Sequence, residues 1–228
     1  MVDVSDPANP TSPGCAGQDG YVHDAQCVTY SGPDTKYHGH EMCFAYNENS
    51  LTIMDMSDKA TNGSVVSRST YASAYTHQGW LIDTTDQSFL LLDDELDEQE
   101  SVGEAADQHT TTYIWNITSL ENPVKTGHYK SPAISIDHNQ YVLNGLSYMA
   151  NYGSGLRVVD VRSVEEDPSG KMFKEIGFFD IFPEDDEKND GLGDTEFTGT
   201  WSVYPYFKSG YIILNTIERG TFSLRLRH

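Results

Sequence analysis

The sequence lacks long hydrophobic runs and has few basic residues. No apolar stretch approaches 18 residues, so no membrane-spanning helix is predicted. Lys and Arg number 14 against 35 Asp and Glu, which gives a formal net charge of −21. Such a charge repels phosphate backbones and anionic lipid, so we expect no nucleic-acid partner and no direct membrane insertion. The composition suits cation binding, or solubility at high salt.

Common catalytic and nucleotide-binding motifs are also absent. The sequence contains no phosphate-binding loop, no dinucleotide glycine pattern, no HExxH and no CxxC. The stretch Gly153-Ser-Gly155 is too short for the GxSxG turn that presents a serine nucleophile. No catalytic residue is therefore predicted, and a binding role is favoured over an enzymatic one.

Cysteine is scarce, with three in the whole chain. Cys27 and Cys43 lie on neighbouring predicted strands and are candidates for a disulfide, which leaves Cys15 over. The alternative is three reduced, buried thiols. Two glycosylation sequons begin at Asn62 and Asn116 and fit a secretory route. We therefore expect a secreted or cell-surface protein.

A unit of strands occurs four times along the chain. Each unit opens on a polar pair, runs through a second strand into an amide- or acid-bearing turn, and ends in a third strand. The openings lie 54, 61 and 63 residues apart. They are His23-Asp24, His77-Gln78, His138-Asn139 and Trp201-Ser202. Helical signals are almost absent, so the pattern predicts an all-β fold: a β-propeller of four-stranded antiparallel blades.

We assign the whole chain to one domain, with blades at about residues 20–70, 75–130, 136–180 and 198–227. Residues 1–6 match the end of a later unit at 53–58, which predicts an additional N-terminal strand. A chain that opens on a last strand either completes a ring or continues one begun by earlier blades. We expect the second, in which case open strand edges favour pairing with another chain.

Several phrases resemble the choice-of-anchor B family, which is built from LVIVD-type repeats. They include Tyr21-Val-His-Asp-Ala-Gln-Cys27, Thr76-His-Gln-Gly-Trp80, Leu92-Asp-Asp-Glu-Leu-Asp-Glu98, Asp137-His-Asn139 and Trp201-Ser-Val-Tyr-Pro205. The resemblance implies an extracellular β-propeller, often carried beside a cell-surface anchor, with no general activity assigned. It also implies that this chain corresponds to the C-terminal portion of a larger ring.

Propeller topology predicts where the polar residues of each unit gather. First strands line the channel, and the loops that enter them share one face with the loops joining second to third strands. The inner candidates are His23, Asp24, His77 and His138, and the outer candidates are Asn47, Asp94, Glu95 and Asn151. Imidazoles suit zinc and other transition metals, whereas carboxylates suit calcium. The alternative is that these groups bond neighbouring blades and backbone atoms, since buried polar groups must be paired.

Two acidic loops are further cation candidates. Residues 93–100 carry six acids in eight positions, and residues 184–196 carry seven in thirteen. The calcium candidates of the first loop are Asp93, Asp94, Glu95, Asp97 and Glu98. The bland alternative is a solvated acidic loop. We expect calcium as the first candidate cofactor, and zinc or another transition metal as the second.

Three functional hypotheses follow. The first is a non-enzymatic extracellular propeller that binds a partner protein or glycan, with calcium as a candidate stabilising ion. The second is a metal-dependent hydrolase or lyase with its centre at the ring of histidines. The third is a structural subunit of an extracellular assembly, either homo- or hetero-oligomeric. Propellers host all of these roles, so the fold does not choose among them.

Overall fold

The computed structural model describes residues 1–227 and shows an all-β protein with four antiparallel sheets. Sheet 1 contains β1 (Asp24–Thr29), β2 (Glu41–Tyr46), β3 (Leu51–Asp55) and β4 (Ser64–Ser69). Sheet 2 contains β5 (Thr76–Leu81), β6 (Phe89–Asp94), β7 (His109–Asn116) and β8 (Val124–Ile134). Sheet 3 contains β9 (Asn139–Leu143), β10 (Leu146–Ala150), β11 (Leu156–Asp160) and β12 (Lys174–Phe179). Sheet 4 contains β13 (Thr200–Tyr204), β14 (Ile212–Thr216) and β15 (Thr221–Leu224).

Strands pair in chain order within every sheet, so each sheet is a simple meander. In the described part of the chain, helical structure is limited to one α-helical turn, α1 (Asp97–Glu100), and three short 3₁₀ segments at Thr35–Tyr37, Lys59–Thr61 and Gly103–Ala105. None of the helices among residues 1–227 is long and apolar enough to cross a membrane. The all-β, four-sheet prediction is confirmed.

The sheets pack face to face in chain order, and each interface has its own apolar cluster. Strand β6 shows how this arises, because its side chains alternate between two interfaces. Leu90 and Leu92 pack toward sheet 1, whereas Phe89 and Leu91 pack toward sheet 3. Strand β6 is thus buried on both faces, and every one of its residues is buried. Burial on both faces explains why its sequence is an uninterrupted apolar run up to Asp93.

First strands lie side by side at one edge of this stack. Strand β1 contacts β5, β5 contacts β9, and β9 contacts β13. The residues that open these strands, His23, His77, His138 and Trp201, consequently come to the same end of the molecule. We call this surface the histidine face, defined by these four residues and Glu95.

The predicted N-terminal strand at residues 1–6 is wrong. Asp3 forms an isolated bridge with Thr11, and the segment joins no sheet. Residues 1–6 resemble the β3 segment in sequence, but β2 and β4 already pair with β3 itself. The resemblance therefore does not give residues 1–6 a place in sheet 1. The segment instead packs Met1 against the cluster formed by Cys43, Ala45, Met54 and Met56.

Candidate functional site

A row of imidazoles connects the first strands of successive sheets. His23 Nδ1 lies 3.0 Å from the carbonyl oxygen of His77, His77 Nδ1 lies 2.9 Å from that of His138, and His138 Nδ1 lies 2.7 Å from that of Trp201. A carbonyl oxygen only accepts hydrogen bonds, so each Nδ1 carries the hydrogen. Each neutral imidazole therefore presents Nε2 as an acceptor.

Glutamines make a second set of bridges farther along the same strands. The Leu81 backbone N–H donates to Gln26 Oε1 at 2.7 Å. The Gln78 side chain donates to the Gln140 carbonyl at 3.0 Å and accepts from the Gln140 N–H at 3.1 Å. These bridges match the structural alternative for polar residues on first strands. The histidines satisfy that role with Nδ1 alone, which leaves Nε2 available.

The Nε2 atoms of two histidines converge on one carboxylate. Glu95 Oε2 lies 3.7 Å from His77 Nε2, and Glu95 Oε1 lies 3.4 Å from His138 Nε2. One ligand atom from each of the three residues lies within 4.8 Å of the other two. The Tyr152 hydroxyl donates to Glu95 Oε1 at 2.6 Å and so orients the carboxylate. We call His77, Glu95 and His138 the His–Glu–His group.

Burial keeps both imidazoles neutral. The His77 side chain is 5% exposed and that of His138 is 1% exposed. Burial lowers the pKa of His77 to about 3, helped by the neighbouring His138 and His23. Burial likewise lowers the pKa of His138 to about 4. The lone pairs of two neutral imidazoles thus face a carboxylate, and His138 Nε2 has no hydrogen-bond partner among the described residues.

Aromatic rings surround this group. The His77 ring lies between those of His23 and His138, with centroid separations of 4.0 and 4.4 Å. The Trp201 ring follows at 4.7 Å from His138 and is 47% exposed. Tyr21, which packs edge-on against His23, is 59% exposed. The histidine face therefore combines a buried polar centre with an exposed aromatic rim.

Two of the predicted outer candidates, Asp94 and Asn47, have local structural roles instead. Asp94 accepts from the Tyr71 hydroxyl at 2.9 Å and from the Tyr75 N–H at 2.6 Å, so it holds the turn that precedes β5. Asn47 donates to the Asp19 carbonyl at 3.2 Å. Neither belongs to the His–Glu–His group.

Asp24 and Asn151 also lie outside the group. Asp24 accepts from the N–H of Ala25, and burial raises its pKa. The Asn151 side chain is buried and has no hydrogen-bond partner in the described part of the chain. We have no physical account of that unpaired amide. Of the eight predicted candidates, the structure brings His77, His138 and Glu95 together, with the His23 ring stacked beside them.

The acids around α1 are buried, so a solvated loop is the wrong description of residues 93–98. Asp93, Asp94, Asp97 and Glu98 are 0% exposed. The Tyr113 hydroxyl donates to Asp97 at 2.6 Å, and the Thr111 N–H donates to Glu98 at 2.7 Å. The local sequence misleads because α1 folds inward against β7, which hides its carboxyl groups from water.

Several oxygens of these buried acids lack partners. Asp93 Oδ2, Asp97 Oδ1 and Asp137 Oδ1 have no hydrogen-bond partner among the described residues. Burial raises the pKa of Asp97 to about 8 and that of Asp137 to about 6, and it raises those of Asp93 and Glu98 well above their usual range. Burial disfavours the charged form of each group, so protonation relieves the cost of burying it. Among residues 1–227, only the His–Glu–His group brings three ligand atoms within 4.8 Å, so the calcium candidates do not form one coordination shell.

The second acidic loop, residues 184–196, is mostly exposed, as its composition suggests. Lys188 pairs with Asp194, and Glu184 lies 2.7 Å from Arg219. Among the acids of this loop, Asp185 is buried, at 6% exposed. This loop lies outside the His–Glu–His group.

Two of the three cysteines are paired, and both sequon asparagines are accessible. Cys27 and Cys43 face each other across β1 and β2 and form a disulfide, while Cys15 is exposed and unpaired. Asn62 follows a 3₁₀ segment, and Asn116 ends β7. Both asparagines are partly exposed.

Sequence reasoning missed three contributors to this region: the orienting Tyr152, the buried Asp137 and the glutamine bridges. Tyr152 sits in a turn that the repeat pattern singled out, but the pattern stressed its neighbour Asn151. The glutamines carried no clear signal, because they lie at different distances from the histidine that opens each unit.

Comparison with known proteins gives one match. A comparison with curated proteins finds no related sequence. Residues 39–68 match a family model described as the LVIVD repeat. This stretch contains β2, β3 and most of β4, which is the outer three-strand meander of sheet 1. The chain therefore contains an LVIVD-type repeat.

Proposed function

We propose that this chain is a secreted or cell-surface β-propeller of the choice-of-anchor B kind, which binds a partner protein or glycan at its histidine face. Four stacked meanders with adjacent first strands, and an LVIVD repeat in one of them, support the propeller assignment. The Cys27–Cys43 disulfide supports an oxidising compartment.

The exposed aromatic rim is the observation that carries the binding role. Tyr21, Trp201 and the nearby Phe197 are 59%, 47% and 40% exposed at one end of the molecule. Tyr and Trp are enriched at protein interfaces and dominate their binding energy, because a large rigid ring is buried at little entropic cost. The net charge of −21 favours a neutral or basic partner.

A paired binding comparison tests this role. The wild-type chain, the Tyr21→Ala/Trp201→Ala variant and a Phe178→Ala control are applied to arrays of neutral and basic oligosaccharides, and cross-linked to proteins from the native extracellular medium. Phe178 is 64% exposed on β12 and leaves the rim intact. We expect the rim variant to weaken binding about 30-fold, the effect of losing about 2 kcal/mol at one hot spot. Equal binding by the rim variant, or no binding by the wild type, would contradict the proposal.

A metal-dependent hydrolase or lyase is the second candidate, favoured by the convergence of His77, Glu95 and His138. A metal bound by three side chains keeps an open position, where it can activate water. Turnover of ester, phosphoester or glycoside substrates by the zinc-loaded protein, and its loss in Glu95→Gln, would establish this candidate. Absence of turnover with full metal loading would exclude these reactions.

A further inference from the structure

We propose that His77, Glu95 and His138 bind one divalent transition-metal ion, with zinc as the reference ion and at least one coordination position open. The proposal deepens the binding role above by adding a ligand to the same surface. It rests on that role only for the ion's biological use, since the ion can bind whether or not a partner does.

The hydrogen positions carry the argument. His77 Nδ1 faces the His138 carbonyl and must donate, so the hydrogen of this neutral imidazole is already committed. His138 Nδ1 lies 2.7 Å from the Trp201 carbonyl and 2.9 Å from the Asn139 amide nitrogen. The Asn139 amide already donates to the same carbonyl at 2.8 Å, and the shorter contact to that carbonyl commits the His138 hydrogen. Each Nε2 then points a lone pair at a Glu95 oxygen 3.7 or 3.4 Å away. The two Nε2 lone pairs thus face the two oxygens of Glu95 with no hydrogen between nitrogen and oxygen, an arrangement that a cation resolves.

A second proton on an imidazole would be the other resolution. It would turn one contact with Glu95 into an ion pair, but it would place an extra positive charge among three stacked imidazoles. The His138 ring is 1% exposed and would lose nearly all hydration of that charge. A metal ion satisfies both Nε2 atoms and the carboxylate at once.

The separations fit a shared ion. Two ligands that each lie about 2.0–2.1 Å from zinc are about 3.3 Å apart at a tetrahedral angle. The separations of 3.4 and 3.7 Å between Glu95 and the two histidines are close to this value. The two separations involve different oxygens of Glu95, and one ligand atom from each residue lies within 4.8 Å of the other two. The Glu95 side chain, which is 16% exposed, would therefore have to turn to place one ion within reach of all three residues. That exposure also gives the ion a route to solvent.

The donor set selects the class of ion. Two imidazole nitrogens and one carboxylate suit zinc, copper, iron or nickel, whereas calcium takes oxygen ligands almost exclusively. The supporting contacts are those of a metal site, because each ligand histidine donates its other nitrogen hydrogen to a backbone carbonyl and Tyr152 orients the glutamate. The expectation of calcium before zinc is therefore reversed at this site.

Titration of the metal-free chain with cobalt(II) and zinc tests the proposal. Cobalt(II) reports its own coordination through visible absorption, and zinc stoichiometry is read by elemental analysis after dialysis. The variants are His138→Ala, which removes one ligand, and Glu95→Gln, which removes the charge but keeps an acceptor for Tyr152. His23→Ala is the matched control: it loses the same kind of Nδ1 bridge yet leaves all three ligands in place.

We expect one ion per wild-type chain with four- or five-coordinate cobalt absorption. Removal of a contact that supports a metal ligand costs about 10- to 100-fold in affinity. Both ligand variants should lose more affinity than this, and the control should lose less than either of them. Glu95→Gln keeps the test decisive if His138→Ala does not fold. The proposal fails if the wild type takes up no ion, if Glu95→Gln binds equally well, if His23→Ala loses as much affinity, or if calcium displaces zinc.

The two proposals fail separately. Ion binding without any array or cross-linking partner would contradict the partner-binding role and leave the metal site standing. Partner binding by a chain that takes up no zinc or cobalt would do the reverse.

Discussion

At the scale of single residues, the histidines divide two tasks between their two ring nitrogens. Nδ1 bonds the next first strand, as a structural role requires, and Nε2 turns toward Glu95. The structural and functional interpretations of these residues are therefore compatible. His23 bonds through Nδ1 in the same way but lies outside the His–Glu–His group, so the repeated position supplies proposed ligands in only two of its three copies.

Gln140, one of the residues in the glutamine bridges, gives a prediction at this scale. Gln140 donates to Asp93 and accepts from the Ser147 hydroxyl at 2.8 Å, and all three are buried. Gln140→Leu should lower the free energy of unfolding by about 2–4 kcal/mol, because it leaves two buried polar groups without partners. Urea denaturation measures the change. Gln18→Leu, at an exposed position, is the control and should stay within about 0.5 kcal/mol of wild type.

At the scale of elements, the close approach of β5 to sheet 1 depends on a residue without a side chain. A Cβ atom at Gly79 would lie 2.5 Å from the Tyr46 ring and closer still to the Leu91 carbonyl oxygen. Any larger residue here would meet Tyr46 of β2 and the backbone of β6, so β5 would have to move away from one or both. The repeat pattern showed a glycine at this position but not the packing that requires it.

Gly79→Ala should destabilise the protein by about 1–3 kcal/mol, the usual range for overpacking a filled core. Thermal unfolding followed by circular dichroism measures the effect. Gly17→Ala is the control, since a Cβ there meets no atom within 4 Å. Equal melting temperatures for the two variants would show that β5 can move away from sheet 1 at little cost.

The disulfide between β1 and β2 gives a second prediction for elements. Cys27 and Cys43 are separated by 16 residues, and cross-linking a loop of this size restricts the unfolded chain by about 3 kcal/mol. The Cys27→Ser/Cys43→Ser variant should lose stability of this order in urea. Cys15→Ser should change nothing measurable, because Cys15 is exposed and unpaired. A similar loss in Cys15→Ser would reveal a role for that thiol that the structure does not show.

At the scale of the whole molecule, a net charge of −21 coexists with six carboxyl groups buried without an ion pair among the described residues. Folding favours the protonated form of four of them, Asp93, Asp97, Glu98 and Asp137, by raising their pKa. Folding keeps His77 and His138 neutral by lowering theirs. The two sets act on stability in opposite directions of pH.

The sign of the pH dependence follows from these shifts. A carboxyl group with a raised pKa stabilises the fold fully below its unfolded value near 4, and this contribution is lost as pH rises through about 6 for Asp137 and about 8 for Asp97. A histidine with a lowered pKa stabilises the fold above about 6.5, and its contribution is lost as pH falls toward about 4 for His138 and about 3 for His77. Between about pH 5 and pH 8, the stability that the four acids lose exceeds the stability that the two histidines gain.

Metal-free protein should therefore melt at a lower temperature at about pH 8 than at about pH 5, as scanning calorimetry with a chelator would show. Asp97→Asn should weaken this trend, because an amide stays neutral at every pH while its oxygen can still accept from Tyr113. Excess calcium checks the remaining calcium expectation. A melting temperature that rises with pH only when calcium is present would show that the buried acids bind it.

Much of the fold was predictable from local patterns. The strand β6 contains an apolar run, and the four repeated units correspond to the four sheets. The acids at 93–98 were also recognisable as unusual. Their burial was not predictable, because the direction in which α1 folds depends on contacts with β7 that lie more than ten residues away.

The sequence by itself determined the strands, their order and the repeat, since side-chain alternation and turn residues act over a few positions. It also placed His77, His138 and Glu95 among the candidates, because each opens a strand or ends one. Only the tertiary structure decided which candidates meet. That choice depends on how far each sheet turns and shifts against the next, which brings Glu95 between two imidazoles and leaves Asp24, Asn47, Asp94 and Asn151 outside the group.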